Sequence, residues 1–222
     1  MQFPLVVVGL TVGFLVGLMG MGGGAVLTPL LVLSFRFSPL VAISSDLLTS
    51  LVMMPVGAAV HLRHGTVNWW LVRWLVLGSV PAAVAGSVLI GSIGHAPGVQ
   101  ADLRLAIGVA LCASVVMTLL RQLLDRRSTG EHDNKPLVVR PLRTVAIGVV
   151  GGFAVGMTSV GGGSLISALL LIAYPRVTLA STVIVQAIPL VAAATVGHLL
   201  YGEVHLAVVS SLLVGALPGV YL

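Results

Sequence analysis

Two glycine-rich octets hold the groups best able to do chemistry in this chain. They are Gly17-Leu-Met-Gly-Met-Gly-Gly-Gly24 and, 139 residues later, Gly156-Met-Thr-Ser-Val-Gly-Gly-Gly163. Glycine admits positive φ and lets other atoms come close to the main chain. Where such a turn separates two helical stretches, the N–H groups that open the second stretch have no intrahelical partner. The positive end of its dipole also points into the turn. The result is a seat for an anion that needs no basic side chain and can therefore release what it holds. The candidate binding groups are Gly20, Gly22, Gly23 and Gly24 in the first octet and Gly161, Gly162 and Gly163 in the second, with Thr28 and Ser164 as hydroxyl donors. Close helix packing alone is the competing use of such glycines. A triplet duplicated at matched positions favours the site.

A second constellation opens the stretches that follow the octets: Ser44, Ser45, Asp46 and Thr49, loosely matched by Ser181, Thr182 and Gln186. Ser44, Ser45, Ser181 and Thr182 are candidate supporting donors to an anionic oxygen. Helix capping and back-bonding to the preceding turn are their ordinary alternative. Asp46 is sharper, because an acid within an apolar span marks a functional site by default. Val183 and Ile184 stand where its counterpart would be. Proton coupling is one role for Asp46; the other is a first-turn carboxylate near the interface, favoured by the helix dipole. His61 and His198 occupy matched positions and could relay protons. Their neighbours Arg63, His64 and Glu203 favour interfacial anchoring instead. No nucleophile has a base beside it, no carboxylates pair at helix spacing, and no metal-ligand spacing or cofactor motif occurs. The chain therefore reads as a non-enzyme. Gly20-x-Gly22-x-x-Ala25 fits a dinucleotide fingerprint only on paper, because its context is not a βαβ unit.

The elements that must position these groups are long and apolar. Of 222 residues, 58% are hydrophobic and 8% charged, with a mean hydropathy of +1.14, whereas soluble domains carry about 25% charged residues. Apolar stretches run over 3–20, 25–35, 40–61, 68–91, 101–124, 142–158, 163–174, 178–200 and 204–222. Most approach the roughly 20 residues that cross about 30 Å of hydrocarbon. The pI near 10.4 does not indicate nucleic acid, since the charge is sparse and no aromatic-basic surface exists. Basic residues here set topology, and Trp69, Trp70 and Trp74 form a belt at one membrane face. Cys112 is the only cysteine, so no disulfide framework is expected. The apolar start lacks the basic lead and small-residue cleavage site of a signal peptide.

One polar stretch, 121–143, holds six basic and three acidic residues around Ser128-Thr-Gly-Glu-His-Asp-Asn134. Its basic excess places it in the cytoplasm, and it divides two repeats. Gly13-Phe14 matches Gly152-Phe153, His61-Leu62 matches His198-Leu199, and Gly78-x-x-Pro81 matches Gly215-x-x-Pro218. Within this chain the second repeat stops before the span that would match 101–124. A single helix over 3–35 would be about 48 Å long, so it must tilt heavily or break. A break at 20–24 with a re-entrant return leaves three full spans per repeat and inverted halves. One broken crossing would give four spans and parallel halves.

The run Gly17-Leu-Met-Gly-Met-Gly-Gly-Gly-Ala-Val-Leu-Thr-Pro29 resembles the sulfite exporter TauE/SafE family. So do Val60-His-Leu-Arg-His-Gly-Thr-Val-Asn-Trp69 and Gly78-Ser-Val-Pro-Ala82, followed by Gly86. The second half repeats the pattern with Gly161-Gly-Gly163 and Gly197-His198…Gly202-Glu-Val204. The resemblance implies an inner-membrane carrier of two homologous halves that moves small, often sulfur-containing anions: sulfite, sulfonates, sulfoacetate or thiosulfate.

The expected fold is thus an all-α integral membrane protein, a polytopic helical bundle of two homologous, inverted repeats with glycine-broken or re-entrant helices. Residues 1–124 form the first repeat, 125–141 a cytoplasmic linker and 142–222 the second repeat. The expected partners are a small anionic substrate and the lipid bilayer, with room for a homo-oligomer and no nucleic acid or cofactor. A passive anion channel and a non-transporting membrane scaffold are the competing readings.

Overall fold

In the computed structural model the described residues are 3–19, 24–62, 67–94, 99–127, 139–160, 162–174, 180–201 and 204–221. They are all helical or connecting. The helices are α1 (Phe3–Met19), α2 (Gly24–Leu33), α3 (Pro39–Leu62), α4 (Trp69–Ile93), α5 (Val99–Arg127), α6 (Pro141–Thr158), α7 (Ser164–Ala173), α8 (Ala180–Tyr201) and α9 (Leu206–Tyr221). Four stretches, Trp69–Ile93, Val99–Leu120, Pro141–Thr158 and Ser181–Leu200, are long and apolar enough to cross a bilayer. Helix is the form that satisfies every backbone group within one segment, which hydrocarbon demands. Large apolar side chains face outward along α5, among them Leu105 at 70% and Val109 at 62% exposure. Lipid, not water, is the environment that suits such a face.

Local signals fix several ends. Asn68 accepts from the Leu71 N–H at 3.1 Å and caps α4. Trp69 and Trp70, in the first turn of α4, are 65% and 52% exposed. Helix α5 continues to Arg127, beyond the apolar run and into the expected linker; no glycine or proline occurs between Gly108 and Gly130 to stop it. Pro141 opens α6, where its missing N–H costs nothing. The Arg140 N–H before it donates to the Tyr174 hydroxyl at 3.0 Å, and that hydroxyl lies 2.6 Å from Thr144 Oγ1.

Tyr174 caps the far end of α7, so this contact orients the α6–α7 pair. Further along, Gly151 lies against the Ile166 side chain and Gly162 against Val155. Residues rising along α7 thus meet residues falling along α6. Helix α7 therefore runs antiparallel to α6 and returns toward its beginning. The interruption between them is real: α6 ends on Ser159, whose φ is 60°, and α7 restarts at Ser164. In the other octet α1 ends at Met19 and α2 starts at Gly24, while Gly20, Gly22 and Gly23 lie outside the described residues.

Two tight crossings hold the bundle, α4 on α6 and α1 on α9. Both depend on glycine. Gly148 packs on the Leu75 backbone as Gly9 packs on that of Leu212, and Gly152 meets Ser79 as Gly13 meets Ala216. Gly78 meets Val145 as Gly215 meets Val6. In each crossing residue numbers rise together, so the paired helices are parallel. Helices α3 and α8 pack on each other between the two crossings, and their buried faces supply Leu47, Met53, Leu190 and Ala194 to the core.

Any Cβ on Gly152 would run into the Ser79 backbone, whereas nothing lies within 4 Å of one on Gly108. Gly152→Val is expected to destabilise the protein by about 1–3 kcal/mol. Gly108→Ala should leave stability unchanged or raise it by up to about 1 kcal/mol. Thermal unfolding in detergent distinguishes the two.

Candidate functional site

The two interruptions meet. A cavity of about 260 Å³ is lined by Gly24 at the start of α2 and by Gly162, Gly163 and Ser164 at the start of α7. Its remaining wall is mostly apolar, with Val16, Leu47, Met54, Leu111 and Val155 among the contributors. Ser50, Ser114, Thr118 and Ser159 also line it. Gly163 caps α7 without a side-chain hydrogen bond, so the opening N–H groups of that helix carry no side-chain cap. Gly161 lies outside the described residues.

Asp46 lies behind this wall, bonded to its lining residues Ser50 and Ser159. It is fully buried in the third turn of α3, which removes it from the interfacial first turn allowed by the sequence. Thr28 Oγ1 donates to Oδ2 at 2.7 Å, Ser159 Oγ donates to the same oxygen at 2.6 Å, and Ser50 Oγ donates to Oδ1 at 3.3 Å. A Cβ on Gly24 would lie 3.0 Å from Oδ2 and would strike the Ser159 carbonyl. One carboxylate thus ties α2, α3 and the α6–α7 turn together. Hydrogen bonds to a charged group are the strong ones, and a buried carboxylate left unpaired would be costly.

Ser159 takes part at a conformational cost. A non-glycine residue in the left-handed region is disfavoured by about 1–2 kcal/mol. The matched position of the first octet is Gly20. The serine brings a hydroxyl that reaches Asp46. Strained backbone of this kind gathers at functional sites.

A second buried network lies outside the cavity. Ser44 Oγ is 3.0 Å from His198 Nδ1, and His198 Nε2 is 2.9 Å from the Gly156 carbonyl. A carbonyl only accepts, so Nε2 carries the proton and Nδ1 accepts from Ser44. His198 is 1% exposed and so is no interfacial anchor; it ties α8 to α3 and α6. The side chain of His61 lies outside those described. Ser45 is fully buried, and its Oγ has no partner among the described residues. Thr182 accepts from the Asn68 N–H at 3.1 Å, at the start of α4. Gln186 donates to Ser79 Oγ at 2.8 Å. Thr28, Ser44, Ser45, Ser181 and Thr182 are not among the residues lining the cavity, whereas Gly24, Gly162, Gly163 and Ser164 are; Thr28 is bonded to Asp46 behind the wall.

The sequence reading missed Ser50, Ser114 and Ser159. Ser50 was findable, four residues after Asp46 on the same helix face. The other two reach the site only through tertiary packing.

Glycine-interrupted helices around an interior hollow, among spans that fit a bilayer, define a polytopic helical membrane protein. The family pattern described as "Sulfite exporter TauE/SafE" matches residues 5–222, and the chain belongs to that family. It is 35% identical over 227 residues to "Probable membrane transporter protein YjnA" of Bacillus subtilis (strain 168), covering 99% of this chain and 88% of that one. It is 25% identical over 192 residues to "Probable membrane transporter protein MJ0441" of Methanocaldococcus jannaschii, covering 84% and 67%. A "Probable membrane transporter protein" of Haemophilus influenzae is 27% identical over 169 residues, covering 72% and 58%. No solved structure matches the chain. The protein is a multi-pass membrane transporter.

Thr28→Val keeps the shape of the side chain but removes a donor from a buried carboxylate. A loss of about 1.5–3 kcal/mol is expected, read as a lowered unfolding midpoint, with Thr28→Ser restoring most of it.

Proposed function

We propose that this chain carries small sulfur-containing anions, of the sulfite, sulfonate or thiosulfate class, out of the cell. The carrying observation is the cavity lined at once by Gly24 and by Gly162, Gly163 and Ser164. Main-chain donors and a helix dipole attract a negative group there, and the apolar wall strengthens that attraction by excluding water. The family description supports the substrate class, and the names of the relatives support transport.

The paired crossings support two homologous halves, since the same glycine contacts recur at positions 139 and 137 residues apart. The return of α7 along α6 supports a re-entrant helix in each half. Three full spans in the first half then invert the second, with the 125–141 linker in the cytoplasm and the protein in the inner membrane. Rocking of one half against the other would expose the cavity to each side in turn. Asp46, joining both halves through Thr28 and Ser159, is the group that would take up a proton in exchange for an anion. His198 is a second candidate.

Purified protein in proteoliposomes should exchange sulfite, thiosulfate, sulfoacetate or taurine by saturable counterflow. A flux that never saturates and follows voltage would replace the carrier with a channel. A Cβ on Gly162 meets only Val155, at an ordinary 3.6 Å, so Gly162→Leu should fold with its side chain filling the cavity. At least a tenfold loss of flux is expected; a scaffold protein would show none. Asp46→Asn should flatten the pH dependence of flux, and an unaltered profile would remove Asp46 from the coupling.

A further inference from the structure

The two helix starts at the cavity are unequal. At α2 a negative group is already in place, because Asp46 Oδ2 lies beside Gly24, the first residue of the helix, and accepts from Thr28 in its second turn. A carboxylate at a helix N-terminus is favoured by the dipole. The position matched to Asp46 in the second half is Val183, so α7 has no such tethered anion among the described residues. Its start, at Gly162, Gly163 and Ser164, opens onto the cavity with no side-chain cap.

An independent observation points to the same end. Ser114 of α5 lines this cavity and is 4% exposed, and its Oγ has no hydrogen-bond partner among the described residues. The other buried hydroxyls on the wall, Ser50 and Ser159, donate to Asp46, and the half-buried Thr118 donates to the Ser114 carbonyl at 2.7 Å. Buried hydroxyls are ordinarily paired. A hydroxyl left over beside a ligand-sized hollow is a donor awaiting an acceptor. Helices α5 and α7 pack against each other, and Ser114 and the start of α7 line the same cavity.

We propose that Asp46 holds the α2 seat as a built-in anion and that the transported anion binds only at the start of α7, with Ser114 as its hydroxyl donor. The seat also limits the ligand's charge and shape. Among the described residues the cavity wall has no charged side chain, and a helix end offers only about half an elementary charge. Such a seat suits a monoanion whose oxygens face α7 and Ser114 while an apolar body rests against Val16, Leu47 and Met54. A compact dianion would give up far more hydration than one dipole and one hydroxyl return.

This inference rests on the carrier reading, and the test separates the two. Methanesulfonate is the monoanionic probe and thiosulfate the dianionic one, both radiolabelled and followed by counterflow in proteoliposomes of the full chain. The wild type is expected to take methanesulfonate with a KM at least about tenfold below that for thiosulfate. Ser114→Ala should raise the methanesulfonate KM about tenfold, the weight of one hydrogen bond to a charged group, with the melting temperature unchanged. In a Cys112→Ser background, a Ser114→Cys thiol should be shielded from a small maleimide by methanesulfonate at concentrations near that KM. An unchanged KM in Ser114→Ala overturns the proposal and leaves the carrier reading intact. Labelling that methanesulfonate does not slow, or a preference for thiosulfate, does the same. If the wild type moves none of methanesulfonate, thiosulfate, sulfite, sulfoacetate and taurine, the carrier reading falls and this inference falls with it.

Discussion

Hydrocarbon gives a broken helix no water to turn to. Every N–H and C=O freed at an interruption must find a partner inside the protein or face a cavity that holds one. The start of α7 meets that requirement by opening onto a hollow. The end of α6 meets it through Ser159, whose left-handed turn returns its N–H to the Val155 carbonyl at 2.8 Å and turns its hydroxyl to Asp46. The rest of the bundle can be understood as the scaffold that keeps these two solutions next to each other.

That scaffold uses contact where a soluble protein would use the hydrophobic effect. Lipid chains are as apolar as leucine, so helices gain by approaching closely and not by leaving the solvent. Glycine at Gly148, Gly152 and Gly156 brings α6 onto the α4 backbone, and Gly9 and Gly13 bring α1 onto α9. Polar groups then join helices in pairs or threes: Thr28, Asp46 and Ser159 at the cavity, Ser44 and His198 with the Gly156 carbonyl beside it, and Gln186 with Ser79 further out. Each of these links helices from opposite sides of the linker or from opposite ends of one half.

Much of this was legible in the sequence because the bilayer imposes length and composition directly. The stretches read as 3–20, 25–35 and 142–158 emerge as Phe3–Met19, Gly24–Leu33 and Pro141–Thr158, since each is bounded at one end by a glycine octet. The glycine octets told where helices stop, because few other residues stop one inside lipid. What neighbours them was not legible. His198 has basic and acidic residues near it in sequence, yet α3 and α6 bury it. Ser159 sits inside an octet, but only a left-handed backbone aims its hydroxyl at Asp46. Ser114 looks like any small residue of a lipid-facing helix until α7 is set against α5.

On the carrier reading proposed above, the absence of a basic side chain among the described residues of the cavity wall bears on turnover as well as on affinity. A lysine or arginine would hold an anion strongly in the low dielectric of the interior and would itself be costly to keep there once the anion left. Dipole ends and hydroxyls bind less tightly, but they remain acceptable when empty, because α7 keeps its other hydrogen bonds and a hydroxyl is neutral. A carrier must pass through its empty state in every cycle of net transport. In the proposed site, helix ends would keep the loaded and empty states close in energy, so that neither becomes a trap. Asp46 is held by three hydroxyls that come from α2, α3 and the α6–α7 turn. Those three elements cannot separate without weakening its solvation, and on the proton-coupling reading proposed above that is what would link the charge state of Asp46 to opening of the cavity.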